Sequence, residues 1–228
     1  MQDENRVAVA LDGPAGSGKS TIAKLVAKEL GFIYIDTGAM YRSVAFYCID
    51  KDIDYNNELE VISNLDNINI TIQSTKIEQR YLLNDVDVTD LLRSPEVSEG
   101  ASKVASYKAV REKLVALQRE CAAKQSVIMD GRDIGTNVLP NAEVKVFMEG
   151  KVEERAKRRF EELELKGITT TYEEILEDIK KRDYNDSHRE YNPLKSAEEA
   201  VHLDTTYMTI EEVKDYIVEE IKKHLKEG

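Results

Sequence analysis

A short apolar run, Val7–Leu11 (VAVAL), leads through Asp12 into Gly13-Pro14-Ala15-Gly16-Ser17-Gly18-Lys19-Ser20, which fits the pattern G-x-x-x-x-G-K-[ST] in full. Its β-branched residues, bounded by polar sequence and then glycine, make Val7–Leu11 a buried strand. Lys19–Leu30 continues with Ile22, Leu25, Val26 and Leu30 near helical spacing, and Gly31 stands where a helix C-cap is expected. An incidental glycine-rich turn would not sit between a buried strand and a helix. The glycines let successive N–H groups turn towards one centre, and the helix adds its positive N-terminal end, so the segment is a phosphate cradle. Lys19 is expected to reach the β- and γ-phosphates. Ser20 or Thr21 offers a hydroxyl at the first turn, and Ser20 is the Mg²⁺ ligand the pattern expects.

The rest of the chain repeats this rhythm. Phe32–Ile35 reads as a second strand, and Gly38–Ile49 as a helix with Met40, Val44 and Ile49 inward. Strand and helix alternating at these lengths predict a parallel sheet with covering helices. The rhythm then breaks. Asp52–Asn64 is polar and acidic, and Asn67–Ile72 alternates with Ile68, Ile70 and Ile72 on one face. A turn at Gln73-Ser74-Thr75 leads into a return strand, Ile77–Leu83. Ser94-Pro95 is an N-cap followed by proline at the first helical position. From there helical text runs to about Lys124, broken near Ser106-Tyr107. A hairpin-plus-helix module therefore interrupts an α/β core. That core resumes with strands Val127–Asp130 and Val144–Met148, and with charged helices Lys151–Lys166 and Tyr172–Arg189. A short strand, Val201–Leu203, and a helix, Ile210–Leu225, with Ile210, Val213, Ile217 and Ile221 inward, complete it.

Composition narrows the partners. The 228 residues carry 44 acidic and 32 basic side chains, a formal net charge of −12, which argues against nucleic acid and leaves room for a small phosphorylated ligand met by a local cluster of arginines. No apolar run approaches a membrane span. Met1–Arg6 is polar, without a secretory apolar stretch, and the two cysteines, Cys48 and Cys121, make neither a disulfide framework nor a metal pattern. The expectation is a reduced, cytoplasmic protein. His188, His202 and His224 show no triad or zinc spacing.

Arginines gather at three places where strands end or charged helices run. Asp36-Thr37-Gly38-Ala39-Met40-Tyr41-Arg42 follows the second strand, and ligands of open parallel sheets bind beyond the strands' carboxyl ends, so Thr37 and Arg42 are placed to meet a second substrate. Val127–Asp130 ends in a carboxylate that resembles a Walker B element able to hold Mg²⁺ or its water shell, with Arg132 and Asp133 just beyond. Spacings of four and three put Arg182, Asp186 and Arg189 on one helical face if the helix reaches that far. On Lys151–Lys166, Arg155 and Arg159 share a face, where a solvated ion-paired helix competes with a phosphate lid. A guanine-reading N-K-x-D is missing; Thr75-Lys76-Ile77-Glu78 is its nearest string.

Five strings stand in order: LDGPAGSGKST, YIDTGAMYR, VSEGASKVASYKAVREKLVALQR, VIMDGRDIGTNVLPNAEVKVF and KKRDYNDSHREYNPL. Together they resemble the bacterial cytidylate kinases, a family of nucleoside monophosphate kinases, over nearly the whole chain. The resemblance implies a three-layer α/β P-loop kinase, with a core at 1–57 and 107–228, a small β-hairpin-plus-helix NMP-binding insert at 58–106 and a helical lid at about 151–170. It implies that Arg42, Arg132 and Arg189 grip the CMP phosphate. Ser102, Arg111 and Asp133 would hydrogen-bond the cytosine edge, with Thr37 close by, and Asp186, assisted by Arg182, would bind the ribose hydroxyls. ATP would lie on Gly13 to Thr21, with Arg155 and Arg159 reaching it from the lid. Lys19, Arg132, Arg182 and Arg189 would serve phosphoryl transfer, and Ser20 with Asp130, directly or through water, would hold Mg²⁺. Some members carry arginine where Asn185 stands and a basic residue at His188.

The reaction so expected is Mg²⁺-dependent transfer from ATP to CMP or dCMP by a monomer, without nucleic-acid or membrane partners. Two alternatives stay open on the sequence. One is UMP or another monophosphate as the preferred acceptor; the other is a P-loop protein that binds ATP as a switch.

Overall fold

The computed structural model describes residues 6–74, 79–165 and 167–227. Five strands form one parallel sheet in the order β2-β6-β1-β7-β8: β1 Ala8–Asp12, β2 Ile33–Asp36, β6 Val127–Gly131, β7 Val144–Glu149 and β8 Val201–Asp204. Alternation along the strands sends side chains to two cores. Ala10, Val127 and Met129 face a core built with α2 (Thr37–Asp50), α4 (Pro95–Val104) and α5 (Lys108–Ala122). Val9, Leu11, Ile128 and Val146 face the other, closed by α1 (Lys19–Leu30) and α8 (Ile210–Glu227). Helix, sheet and helix make the expected three layers, and burial on both faces explains why the strands read as continuous apolar runs.

The interruption is a three-stranded antiparallel sheet, β3 Ile70–Ser74, β4 Gln79–Leu83 and β5 Val86–Asp87, preceded by α3 (Glu58–Asn64). Neither α3 nor β5 was expected: α3 buries only Val61, and β5 is two exposed residues, so neither leaves a periodic signal. Thr75 to Glu78, including the start of the expected return strand and the N-K-x-D-like string, lie outside the described residues. Ser94 accepts the Val97 N–H at 3.2 Å and Pro95 opens α4, as the sequence indicates. Two charged helices, α6 (Val152–Leu165) and α7 (Tyr172–His188), pack on each other through Ala156, Ile175 and Ile179.

Two expectations are corrected. Ile210 is 54% exposed, although Val213, Ile217 and Ile221 on the same stripe are buried. It occupies the first turn, before α8 meets α1 and β7. Helix α7 ends at His188, and Arg189 has extended backbone (φ −64°, ψ 145°), so Arg189 does not continue the face of Arg182 and Asp186 by helical spacing.

Candidate active site

All five parallel strands end in acidic residues or one residue before glycine: Asp12, Asp36, Asp130-Gly131, Glu149 and Asp204. This carboxyl edge is where the arginines converge. At its centre the loop from Gly13 to Gly18 crosses from β1 into α1. Gly13 runs at φ +151°, and a Cβ there would lie 2.0 Å from the backbone oxygen of Met148, so only glycine lets the loop pass over β7. Lys19 is buried and donates to the Pro14 carbonyl at 2.6 Å and to Ser17 Oγ at 3.0 Å. Burial and then the nearby Arg132 cation hold its ammonium well below the ordinary range, against the pull of Asp130, Asp12 and Asp186.

Beside the loop, Asp130 collects donors. Ser20 Oγ donates to its Oδ2 at 2.6 Å and the Tyr34 hydroxyl to its Oδ1 at 2.9 Å, while Thr37 Oγ1 donates to its backbone carbonyl at 2.7 Å. Burial and the neighbouring Asp36 raise the Asp130 carboxyl above the usual range. Among the described residues no group of three or more His, Cys, Asp or Glu side chains could hold a metal ion. One hydroxyl and one carboxylate are hard oxygen donors, though, and they suit Mg²⁺ that keeps water and phosphate in its remaining positions.

Most of the arginines are held by carboxylates. Arg42 pairs with Asp36 at 2.7 Å, and Asp36 also caps α2 through the Ala39 N–H at 2.9 Å. Arg132 donates from Nε to Asp186 at 2.7 Å. Asp133 is shared, with Arg111 on Oδ2 at 2.5 Å and Arg189 on Oδ1 at 3.0 Å. Arg155 pairs with Asp183 at 2.7 Å. Arg182 is the exception: it makes no ion pair among the described residues, and its Nε is buried without a partner. Burial, and after it the Arg132 cation, brings its guanidinium down to about 10. Burial alone would raise the Asp186 carboxyl, but Arg132, Arg182 and Arg189 together keep it below its usual value. Arg132 thus links the two groups of cations, facing Lys19 on one side and Arg182 on the other.

Ser102 is half-buried on α4, on the side of the insert. Arg155 and Arg159 diverge despite their spacing. Arg155 is buried, donating to the carbonyls of Ala15 at 2.6 Å and Gly150 at 2.9 Å, whereas Arg159 is exposed and paired with Glu162 at 2.7 Å. His188 is exposed and stacks on Tyr184, ring centroids 4.0 Å apart.

Several contributors were not singled out from the sequence. Asp12 accepts the backbone N–H groups of Ile134 at 2.8 Å and Gly135 at 2.7 Å, fixing the turn that carries Arg132 and Asp133. Its signal was the aspartate directly before the first glycine of the cradle. In the sequence Tyr34 reads only as strand apolar surface. The Tyr81 hydroxyl, from β4, accepts the Asp36 N–H at 3.1 Å, binding the insert to the same edge. No short motif surrounds Tyr81.

Fold and sequence together define a P-loop nucleoside monophosphate kinase. Within that class the chain belongs to the cytidylate kinase family, whose family model matches residues 9–223. It is 50% identical over 219 residues to the cytidylate kinase of Fusobacterium nucleatum, covering 96% of this chain and 99% of that one. It is 46% identical over 220 residues to the cytidylate kinase of Bacillus subtilis, covering 96% and 98%. Among solved structures, a gluconokinase from Sinorhizobium meliloti superposes with a TM-score of 0.51 at 13% identity, covering 98% of this chain and 97% of that one. An uncharacterized protein from Eubacterium ventriosum gives 0.53, also at 13%, covering 96% and 99%. These two likenesses concern the fold alone. No helix among the described residues is long and apolar enough to cross a membrane.

Proposed function

We propose that the chain transfers the γ-phosphoryl group of ATP to CMP and dCMP, with Mg²⁺, as a cytoplasmic monomer acting on small molecules without nucleic-acid or membrane partners. The observation that carries this reading is Arg182, without an ion pair among the described residues and set beside Arg132 and Arg42 at the carboxyl edge of the sheet. A cation that only shares the carboxylate of Asp186 with its neighbours, and closes no ion pair of its own among the described residues, calls for an anionic ligand in addition to the one the glycine-rich loop takes.

In this reading the loop from Gly13 to Thr21 holds the donor phosphates, and Lys19 exchanges Pro14 and Ser17 for phosphate oxygens. Arg42, Arg132 and Arg189 receive the acceptor phosphate, each exchanging a carboxylate for it or sharing it. Arg111 and Asp133, with Ser102 and Thr37, read the cytosine edge. Asp186 with Arg182 takes the ribose hydroxyls, and Arg159 stands ready on α6 over the donor. The insert 58–106 carries the acceptor side and the segment 151–170 the lid. Ser20 and Asp130 would hold Mg²⁺, which supplies positive charge to the bridging phosphate oxygens.

The acceptor is a phosphate monoester with a second pKa of ~6, so its attacking oxygen is already mostly ionised at neutral pH and needs no general base. The residues need only align two anions in line and neutralise charge as the phosphoryl group moves, which Lys19, Arg132, Arg182 and Arg189 do together. Packing of α6 and α7 over the loop excludes water, the competing acceptor.

The test is ADP release from Mg·ATP with CMP, dCMP, UMP, AMP and GMP offered separately. Fast turnover with CMP and dCMP supports the reading. Preference for another monophosphate removes the cytosine-reading roles, and no acceptor-dependent turnover returns the chain to an ATP-binding switch.

A further inference from the structure

One N–H of the phosphate cradle is already occupied. Ala15 donates to Asp183 Oδ1 at 3.0 Å, and the other oxygen of that carboxylate meets Arg155 Nη1 at 2.7 Å. The same Arg155 nitrogen donates to the Ala15 carbonyl at 2.6 Å. The Ala15 residue is therefore gripped on both sides, its N–H by α7 and its C=O by α6. The contact is close-packed as well as polar, because a Cβ at Gly16 would meet Ile179 Cδ1 at 3.4 Å and Arg155 Cβ at 3.5 Å. No side chain among the described residues accepts from the N–H groups of Ser17 to Ser20, the half of the loop that merges into α1.

The two halves of the loop face different parts of a nucleotide. Its helix-side N–H groups hold the inner phosphates, with Lys19 reaching outwards from them. Ala15 lies at the opposite end from α1, which on the donor-site reading leaves its N–H to the outermost phosphate. A carboxylate at that end resembles a phosphate oxygen in charge and in accepting a backbone N–H, so the two compete. A diphosphate leaves it undisturbed, whereas a triphosphate must displace it.

We propose that Asp183 is a specificity residue for the donor: it occupies the terminal-phosphate end of the loop, separating triphosphate from diphosphate and linking arrival of the third phosphate to movement of α6 and α7. When a triphosphate binds, Ala15 exchanges the carboxylate for a phosphate oxygen, and Arg155 loses its ion pair and turns towards the new anion. Once the phosphoryl group has moved to the acceptor, Asp183 returns to Ala15. The inference rests on the donor-site reading above and adds to it a residue that reads donor length.

The experiment compares wild type with Asp183→Asn, which keeps the size and an acceptor oxygen but removes the charge. Affinities for ADP and for a non-hydrolysable ATP analogue are measured by displacement of a fluorescent nucleotide, without acceptor. The variant should bind the ATP analogue about 10-fold more tightly while ADP changes by less than about 2-fold, the size expected for one charge-assisted contact. Equal shifts for both nucleotides, or weaker binding of the analogue, overturn the proposal. Wild type that binds neither nucleotide overturns the donor-site reading itself. Should the variant not fold, the ¹³C carboxyl resonance of Asp183 in the wild-type enzyme gives the same answer. It should move with the ATP analogue and stay in place with ADP; movement with ADP, or with neither, sinks the idea.

Discussion

Arg132 and Asp186 meet at 2.7 Å, Nε to Oδ2, and so join the carboxyl end of β6 to helix α7. The pair is not self-contained, since Asp186 also faces Arg182 and Arg189. One carboxylate divided among three guanidinium groups leaves each with attraction to spare for a phosphate. A tighter, private ion pair would have cancelled the charge that transfer needs.

Arg132→Ala should therefore lower kcat by about 10³-fold, the scale of an arginine that stabilises a moving phosphoryl group. Its stability cost should fall short of the ~3–5 kcal/mol of a buried ion left alone, because Arg182 and Arg189 remain beside Asp186. Steady-state kinetics and a urea melt measure the two effects separately. Turnover near that of wild type would remove Arg132 from the transfer step.

Arg111 and Arg189 hold the two oxygens of Asp133 from different elements, α5 and the end of α7. Arg111→Met should leave the ATP KM unchanged and raise the CMP KM by about 10- to 100-fold, the equivalent of one lost hydrogen bond to a charged group. If UMP is the true acceptor and the cytosine reading is wrong, the UMP KM should stay unaffected. A CMP-specific rise supports the assigned edge.

Gly13→Ala tests the fixed part of the cradle. A Cβ would meet the backbone oxygen of Met148 at 2.0 Å, and backbone cannot yield as a side-chain tip can. The expected loss is about 3 kcal/mol or more, the upper end of overpacking costs. Nucleotide binding should be lost with it, read from a urea midpoint and a fluorescent-nucleotide titration. A stable variant that binds normally would show that the loop does not need this approach to β7.

What was legible in the sequence followed from local chemistry. Val7–Leu11 and Val127–Asp130 read as buried strands because both their faces are covered, and Ser94-Pro95 marked a helix start because capping is a matter of four residues. The glycine-rich loop and the arginines at strand ends were legible for the same reason. Their pairing was not. Asp133 finds Arg111 22 residues away and Arg189 56 residues away, and Asp183 reaches Ala15 across 168 residues. Such contacts depend on strand order and helix packing, which no local pattern encodes. Helix α3 and strand β5 escaped because they bury too little to impose a period. Ile210 lies exposed although its stripe points inward, because a stripe gives an angle around a helix and says nothing of where its neighbours begin.

The pH dependence of stability offers a last test, centred on Asp12. Burial pushes its carboxyl up to about 6 from 3.8, although the N–H groups of Gly135 and Ile134 pull it down. Between those two values the native state keeps a proton that the unfolded chain has released. This group's contribution to stability therefore falls as pH rises through that window, and a separation of this size corresponds to about 3 kcal/mol lost by pH 7. The carboxylates that the fold holds low, Asp186 among them, contribute in the opposite sense, so the total curve hides the effect. Asp12→Asn isolates it. The amide keeps one acceptor and turns its NH₂ towards the other backbone N–H, a fixed cost of ~1–3 kcal/mol at every pH. The variant should thus be clearly less stable than wild type at pH 4.5, with the gap narrowing or reversing at pH 7.5, as read from urea midpoints. A gap that stays constant would mean that Asp12 ionises as easily in the folded protein as in the unfolded chain. The turn carrying Arg132 and Asp133 would then rest on a carboxylate already well solvated, not on one the fold holds against the cost of burial.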